Sequence, residues 1–204
     1  MALSLADLVK NRTMSSEIAA TLAAAVDERR SFIVAAIPRL AGKSTTMNAM
    51  LMSRAGALAL HALSEDSGPA LGIPSDGDGG YLVISEISHV PFADYLWGSP
   101  VREAFRLARE RDFGIAAALH AGSVEEAFDI VTHQNGVPDE DAGRVQLLVY
   151  IRTLGRDWQH PDRRVVAAVH AIDGVRGGSP ATRVLHHWDE ATDVFIASAG
   201  SEAM

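Results

Sequence analysis

Four consecutive residues, Gly42-Lys43-Ser44-Thr45, join an apolar run, SFIVAA, to an amphipathic segment that ends near Leu51. The apolar run predicts a buried strand and the amphipathic segment predicts a helix. The N-terminus of a helix presents unpaired N–H groups and the positive end of its dipole to an anion. At such a junction a lysine reaches the β- and γ-phosphates of a nucleotide, and the hydroxyl after it ligates Mg²⁺. The sequence therefore predicts a phosphate-binding loop in which Lys43 binds phosphate and Ser44 binds the metal.

This loop departs from the glycine-rich pattern G-x-x-x-x-G-K-[ST]. Ile37 takes the place of the first glycine, and the four residues after it are bulkier than usual. Glycine serves such loops because it reaches backbone angles closed to other residues and lets the chain approach the phosphates closely. Only Gly42 keeps that freedom. The predicted nucleotide-binding residues are Pro38, Arg39, Leu40, Ala41, Gly42, Lys43, Ser44 and Thr45.

The composition suits one medium-sized domain with a substantial core, since 48% of the 204 residues are hydrophobic. A net charge of −8, without a block of consecutive basic residues, argues against nucleic acid as the main partner. The absence of cysteine excludes disulfides, zinc–thiolate sites and iron–sulfur clusters, and it fits a reducing cytosol. Charges break every apolar run before the roughly 18 residues of a membrane span, and the start does not resemble a signal peptide. We therefore expect a cytoplasmic protein.

Apolar strands alternate with helices, which predicts an α/β unit with a mainly parallel sheet. A capped, alanine-rich helix is predicted after Ser15. The other predicted elements are helix 44–54, strand 58–63, strand 81–87, helix 100–109, strand 113–119 and helix 124–133. The stretch 67–80 is rich in Gly, Pro, Ser and Asp and is predicted to be a mobile loop.

From Val145 onward, short β-rich runs separated by Gly, Pro and charged turns predict an antiparallel extension. We expect a single domain over residues 1–204. It comprises a helical lead-in, 1–30, a nucleotide-binding core, 31–144, and the β-rich extension, 145–204.

Three further candidates follow the loop at the ends of successive predicted strands. Because ligands bind beyond the carboxyl ends of parallel strands, Glu65 in Ser64-Glu65-Asp66 could orient a water or the metal. Glu86 could contact Mg²⁺ or act as a general base, and His120 could sense the γ-phosphate or position the water.

Each candidate also has an ordinary structural explanation. A carboxylate at a strand end is often a solvated turn residue or a helix cap, His120 could be a buried histidine bonded to backbone, and Gly-Lys-Ser occurs by chance in many proteins. We interpret the remaining histidines, including His186 and His187, as core or surface residues. The order of the four motifs along the chain, rather than any one of them, favours a site.

In this order the motifs resemble those of the secretion and pilus motor ATPases of type II and type IV systems, especially the tight-adherence pilus branch. IPRLAGKSTTMNAML resembles the family's GPTGSGKSTTLNAML, LSEDSGPAL its acidic box, and YLVISEIS its Walker B strand. VREAFRLARERDFGIAAALHAGSVEEAFDIV is similar to the helix, strand and histidine box that follow, and LLVYIRTLGRDWQHPDRRVVAAVHAIDG to the β-rich tail.

The resemblance implies a RecA-like P-loop domain that works in a hexameric ring and uses ATP and Mg²⁺ to drive pilus assembly or secretion. Its partners would be platform proteins of the inner membrane, at whose cytoplasmic face the chain would be peripheral. Carried over by position, Lys43 and Ser44 would hold phosphates and Mg²⁺, Glu65 would help to activate water, Glu86 would be the Walker B acid and also contact the metal, and His120 would be the histidine-box residue.

The departures from the family pattern leave two functions open. Ile37, Leu40 and Ala41 replace small residues or glycine, and Ser88 and His89 stand where the family has Arg-Asp. The family's N-terminal domain, which supplies arginines from across the cleft, has no counterpart in this sequence, and such an arginine is worth about 10³–10⁵ in rate. The chain is therefore expected to be either an ATP-hydrolysing motor subunit or a catalytically weakened or inactive ATPase-like module that acts as a structural or regulatory partner. A nucleotide kinase is disfavoured because no arginine-rich lid is visible.

Overall fold

The computed structural model describes residues 2–54, 56, 58–64, 66, 69–73, 79–157 and 159–198. Its helices are α1 (Leu5–Lys10), α2 (Ser16–Asp27), α3 (Lys43–Met52), α4 (Ser99–Glu110), α5 (Val124–Asp129) and α6 (Asp139–Ala142). Its strands are β1 (Ser31–Ala36), β2 (Leu60–Ala62), β3 (Tyr81–Ile87), β4 (Tyr95–Leu96), β5 (Gly114–Leu119), β6 (Val145–Leu154), β7 (Arg163–Arg176), β8 (Ser179–Asp189) and β9 (Val194–Ala197).

Within these described ranges the nine strands form one sheet, in the order β2-β3-β5-β1-β6-β7-β8-β9 with β4 beside β3. The pairs from β2 to β6 are parallel, and β6, β7, β8 and β9 pair antiparallel. The predicted mixed α/β fold, with a mainly parallel central sheet and an antiparallel extension, is confirmed.

Helices cover both faces of the parallel part of the sheet, and β1 lies at its centre. Phe32, Val34 and Ala36 pack into the layer that contains α1, α2 and α3, whereas Ile33 and Ala35 pack into the layer that contains α4 and α5. All five side chains are fully buried. A strand buried on both faces is a continuous apolar run rather than an alternating one, which explains the SFIVAA segment before the loop.

The predicted elements are present, with shifts at their ends. The Ser15 side chain caps α2 by accepting a hydrogen bond from the N–H of Ile18. The predicted helix 124–133 is present, but only its first part, α5, is α-helical, because Ile130–Gln134 form a π-helical turn. Both the backbone N–H and the side-chain amide of Asn135 donate to the Ile130 carbonyl, and the first of these bonds has the five-residue spacing of a π-helix.

The predicted mobile loop, 67–80, falls partly outside the described residues. Residues 67, 68 and 74–78 lie outside them, and Pro69–Gly72 form a short 3₁₀ helix. In the ranges that are described, no helix is both long and apolar enough to cross a membrane.

Replacing Leu148 with alanine should lower the free energy of unfolding by about 3 kcal/mol, because Leu148 is fully buried in β6 and the cavity would not close. Leu148 pairs with Ile33 of β1 and with His170 of β7, so it joins the parallel and antiparallel halves of the sheet. Urea unfolding followed by circular dichroism and by tryptophan fluorescence should give one shifted transition.

The matched control is Val184→Ala in β8. The Val184 side chain is 41% exposed, so this substitution should change the free energy of unfolding by less than about 0.5 kcal/mol. Two separate transitions, with only one of them moved by Leu148→Ala, would contradict the single-domain prediction for residues 1–204.

Candidate functional site

The predicted loop connects the carboxyl end of β1 to the N-terminus of α3. Gly42 is the residue before α3, has φ +96°, and offers no side-chain cap to the first turn. Leu40 has φ +63°, a left-handed conformation that costs a non-glycine residue about 1–2 kcal/mol. The Ala41 side chain is buried, whereas Leu40 is 62% exposed. The bulkier sequence therefore still has a positive φ at both Leu40 and Gly42.

A side chain of the β-rich extension lies directly on this loop. Arg164 at the start of β7 donates a hydrogen bond from Nε to the carbonyl oxygen of Leu40, at 3.0 Å. Its Cδ would lie 2.9 Å from a Cβ built on Gly42, closer than real Cβ contacts allow. Position 42 therefore favours glycine because of its positive φ, and any larger side chain there would also displace the stem of Arg164.

Glu86 lies near the carboxyl end of β3. The pairing of β3 with β5 shifts register between Ile84 and Ile87, and Glu86 itself pairs with Tyr95 of β4. Such irregularities re-aim a side chain next to functional sites. The Glu86 side chain is 6% exposed, and its Oε1 atom accepts no hydrogen bond from the described part of the chain.

Lys43, Glu86 and His120 meet in one cluster. Lys43 Nζ is 3.4 Å from Glu86 Oε1 and 3.2 Å from His120 Nε2, and His120 Nε2 is 3.4 Å from the same Glu86 oxygen. His120 follows β5, which separates β1 from β3 in the sheet. The structure thus brings together three of the predicted site residues, although Lys43 and His120 are 77 positions apart in the sequence.

Burial shifts the pKa of every member of this cluster toward the neutral form. It raises the pKa of Glu86, against the opposing effect of the Lys43 ammonium. It lowers the pKa of Lys43, while Glu86 opposes the shift. It also lowers the pKa of His120, an effect that the charges of Lys43 and Arg39 increase and a hydrogen bond with the Ala36 backbone opposes. The site therefore holds a neutral imidazole at neutral pH, with Nε2 accepting from Lys43.

In the variant Lys43→Ala, the free energy of unfolding should depend on pH more steeply than in the parent. Without the ammonium the pKa of Glu86 rises further, because desolvation is then opposed by less positive charge. A carboxyl whose pKa is raised by folding contributes stability below its ordinary value of 4.5, and this contribution is lost as the pH rises through the raised value.

The deficit of Lys43→Ala relative to the parent should accordingly grow as the pH rises from the ordinary value of 4.5 toward neutral pH, as urea unfolding can measure. The chain's other lysine, Lys10, is exposed at the end of α1 and provides the control Lys10→Ala. A deficit that does not change with pH would mean that Glu86 stays charged without Lys43.

A cavity of about 830 Å³ opens beside the loop. This volume is in the range of small-molecule sites. Besides the cluster and Ser44, Thr45 and Thr46, four regions line the cavity: the lead-in, the loop, the β3–β4 region and the extension. Their residues are Leu3, Leu8, Asn11, Thr13, Arg39, Leu40, Ala41, Gly42, Phe92, Tyr95, Gln159, Asp162, Arg163 and Arg164. Polar groups thus lie around the loop, and the exposed apolar side chains of Leu3, Leu40 and Phe92 lie at the same cavity.

The donors around the loop fit Mg²⁺ bound together with phosphate. In the described ranges no three His, Asp or Glu residues are grouped to hold a metal ion by themselves. Mg²⁺ in nucleotide sites needs no such cage, since one or two protein oxygens and the substrate phosphates suffice. The Ser44 hydroxyl and the buried Glu86 carboxylate, both at this cavity, are oxygens of that kind.

The structure does not describe one predicted site residue, and it places the two histidines interpreted as structural. Glu65 lies outside the described residues, and its neighbour Asp66 is exposed. His186 is buried and shares a 2.9 Å hydrogen bond with Thr21, while His187 is exposed, so these two are a core and a surface residue as interpreted.

Two arginines at the cavity, Arg163 and Arg164, are missing from the sequence-based prediction. Their only mark in the sequence is that they are adjacent, at the start of an apolar run after a turn. Arg164 is 124 positions from the carbonyl it contacts, so no local pattern could reveal the contact.

No protein-family model and no curated protein sequence matches this chain. Chains of solved structures do match it. One is the VirB11 ATPase from the type IV secretion system of Brucella suis, in complex with sulphate, with a TM-score of 0.51 and 17% sequence identity. The similarity covers 82% of this chain and 56% of that one, so this chain spans little more than half of its length. At this identity the similarity shows the fold alone, a mixed α/β fold shared with an ATPase.

Proposed function

We propose that the chain binds Mg²⁺-ATP at the loop 38–45 and hydrolyses it as a subunit of a secretion or pilus motor. The observation that carries this proposal is the meeting of Lys43, Glu86 and His120 at the carboxyl ends of three neighbouring parallel strands, beside the N-terminus of α3. The fold likeness to a type IV secretion ATPase and the resemblance of the motifs support the same class.

The chain's own groups take separate roles in this proposal. Lys43 and the N–H groups of the first turn of α3 bind phosphate oxygens. The Lys43 ammonium then pairs with phosphate in place of the Glu86 carboxylate. Ser44 and Glu86 would hold Mg²⁺, which would neutralise charge on the phosphates. Glu86, with its raised pKa, accepts a proton from the attacking water, assisted by Glu65, and the neutral His120 orients that water.

From the resemblance we further propose that the domain is RecA-like, forms a hexameric ring, and works with inner-membrane platform proteins. One observation favours a second candidate, a module without hydrolysis. Lys43 is already paired with Glu86, and Arg164 covers Gly42, so phosphate must compete with contacts inside the chain. The two candidate functions differ in whether ATP binds strongly enough to displace these contacts.

Isothermal titration calorimetry of the purified chain with ATP, with and without Mg²⁺, tests the proposal when phosphate release is followed in the same sample. Mg²⁺-dependent binding with turnover is the expected result. Binding without turnover would support the second candidate. The absence of binding at millimolar ATP would overturn the nucleotide site and leave the chain as a partner that shares only the fold.

A further inference from the structure

The cavity lining carries more cations than carboxylates: Arg39, Lys43, Arg163 and Arg164 against Glu86 and Asp162. Lys43 is paired with Glu86, and Arg163 is paired with Asp193 on its far side. In the described ranges, neither Arg39 nor Arg164 forms an ion pair with a carboxylate, although both line the cavity beside the loop. Asp162 can offset at most one of these two charges, so an excess of positive charge remains beside the N-terminus of α3, and this excess favours an anion.

Arg164 is the better placed of the two. It lies in β7, paired with Thr153 of β6, so its backbone belongs to the sheet and not to a loop. Its stem covers Gly42, and within the described residues its side chain donates one hydrogen bond, from Nε to the Leu40 carbonyl. A guanidinium carries five N–H donors, so the two terminal nitrogens remain available for phosphate oxygens.

The same cavity contains an independent sign of a ligand. Oε1 of Glu86 is buried and accepts no hydrogen bond from the described part of the chain, and buried polar atoms are seldom left so. When an anion is present, the ammonium of Lys43, now 3.4 Å from this oxygen, would pair with the anion, and Oε1 of Glu86 would need another partner.

We propose that Arg164 is a phosphate-binding residue, supplied to the loop by the β-rich extension of the same chain. This inference rests on the proposed function and extends it, because the cation comes from within the chain and needs no neighbouring subunit. In the ligand-free chain Arg164 rests on the Leu40 carbonyl, and its terminal N–H groups bind the phosphates when they enter. The affinity that Arg164 provides is therefore independent of protein concentration.

The test compares three variants by calorimetry with two probes, Mg²⁺-ATP and inorganic tripolyphosphate. Arg164→Met keeps an unbranched stem over Gly42 and removes the charge, and Arg164→Lys keeps both stem and charge. Arg176→Met, at the opposite end of β7, is the matched control. We expect Arg164→Met to weaken both probes by about tenfold or more, since a hydrogen bond to a charged group is lost. Arg164→Lys should bind both probes more tightly than Arg164→Met and more weakly than the parent, because it keeps the charge and loses the guanidinium fork, and Arg176→Met should equal the parent.

Each other outcome overturns the inference in a distinguishable way. Undiminished binding to Arg164→Met, with binding lost in Lys43→Ala, would remove Arg164 from the ligand and leave the proposed function intact. Equal losses in Arg164→Met and Arg164→Lys would mean that the charge at position 164 adds nothing to phosphate binding, which contradicts the inference. If the parent binds neither probe, the proposed function and the role of Arg164 fall together. Thermal unfolding of each variant verifies that it is folded.

Discussion

Lys43→Ala should abolish measurable binding of Mg²⁺-ATP, with an affinity at least about 100-fold below that of the parent. The Lys43 ammonium is buried next to the N-terminus of α3, where a charge-assisted hydrogen bond to phosphate is screened little by water. Its loss also leaves the Glu86 carboxylate facing the incoming phosphates without a counter-ion, so two unfavourable effects act together. Titration calorimetry at low ionic strength measures the change.

Lys10→Ala is the control for this substitution, because it removes the same side chain from the exposed end of α1. It should bind Mg²⁺-ATP as the parent does. Circular dichroism must show that Lys43→Ala is folded at the pH of the titration. Equal affinities for Lys43→Ala and the parent would rule out the phosphate-loop assignment for Gly42, Lys43 and Ser44.

The strand, the loop and the helix around Lys43 could be predicted because each follows from local chemistry. SFIVAA is apolar at every position since both faces of β1 are covered, and α3 begins at Lys43, one residue before the predicted start. The approach of Glu86 and His120 could also be predicted, because the carboxyl ends of parallel strands meet at one edge of a sheet. The roles of these residues in chemistry stay a prediction.

Three features of the site depend on tertiary contacts that no local pattern encodes. The left-handed conformation of Leu40 runs against the preference of a leucine, and the bond from Arg164 to its carbonyl helps to fix it. The bulge in β3 depends on how β3 meets β5 and β4. The position of Arg164 over Gly42 depends on the antiparallel turn from β6 to β7, which returns the chain to the loop.

The pairing of Lys43 with Glu86 also relates the two candidate functions to each other. A carboxylate that neutralises the lysine in the empty site competes with phosphate, so it weakens binding and at the same time keeps a buried cation from being unpaired. Removing the Glu86 carboxylate should therefore strengthen ATP binding and slow ATP hydrolysis. The substitution Glu86→Gln separates the two effects.

Glu86→Gln should lower the rate of ATP hydrolysis by about 10²–10⁴-fold, the usual contribution of a positioned general base. Binding of Mg²⁺-ATP should be retained or tightened, because glutamine keeps the shape and one oxygen while it frees Lys43 from its anionic partner. Calorimetry gives the affinity, and release of phosphate under saturating ATP gives the rate. Glu103→Gln on α4, which removes a carboxylate paired with Arg106 on the helix surface, is the matched control and should leave both quantities unchanged.

The combination of results decides what Glu86 does. Retained binding with lost turnover identifies it as the base, whereas loss of both would show that its main role is to hold Mg²⁺. If Glu86→Gln hydrolyses ATP at the rate of the parent, Glu86 has no part in the mechanism. The raised pKa of this carboxyl would then reflect only its burial inside the fold, which the pairing with Lys43 opposes.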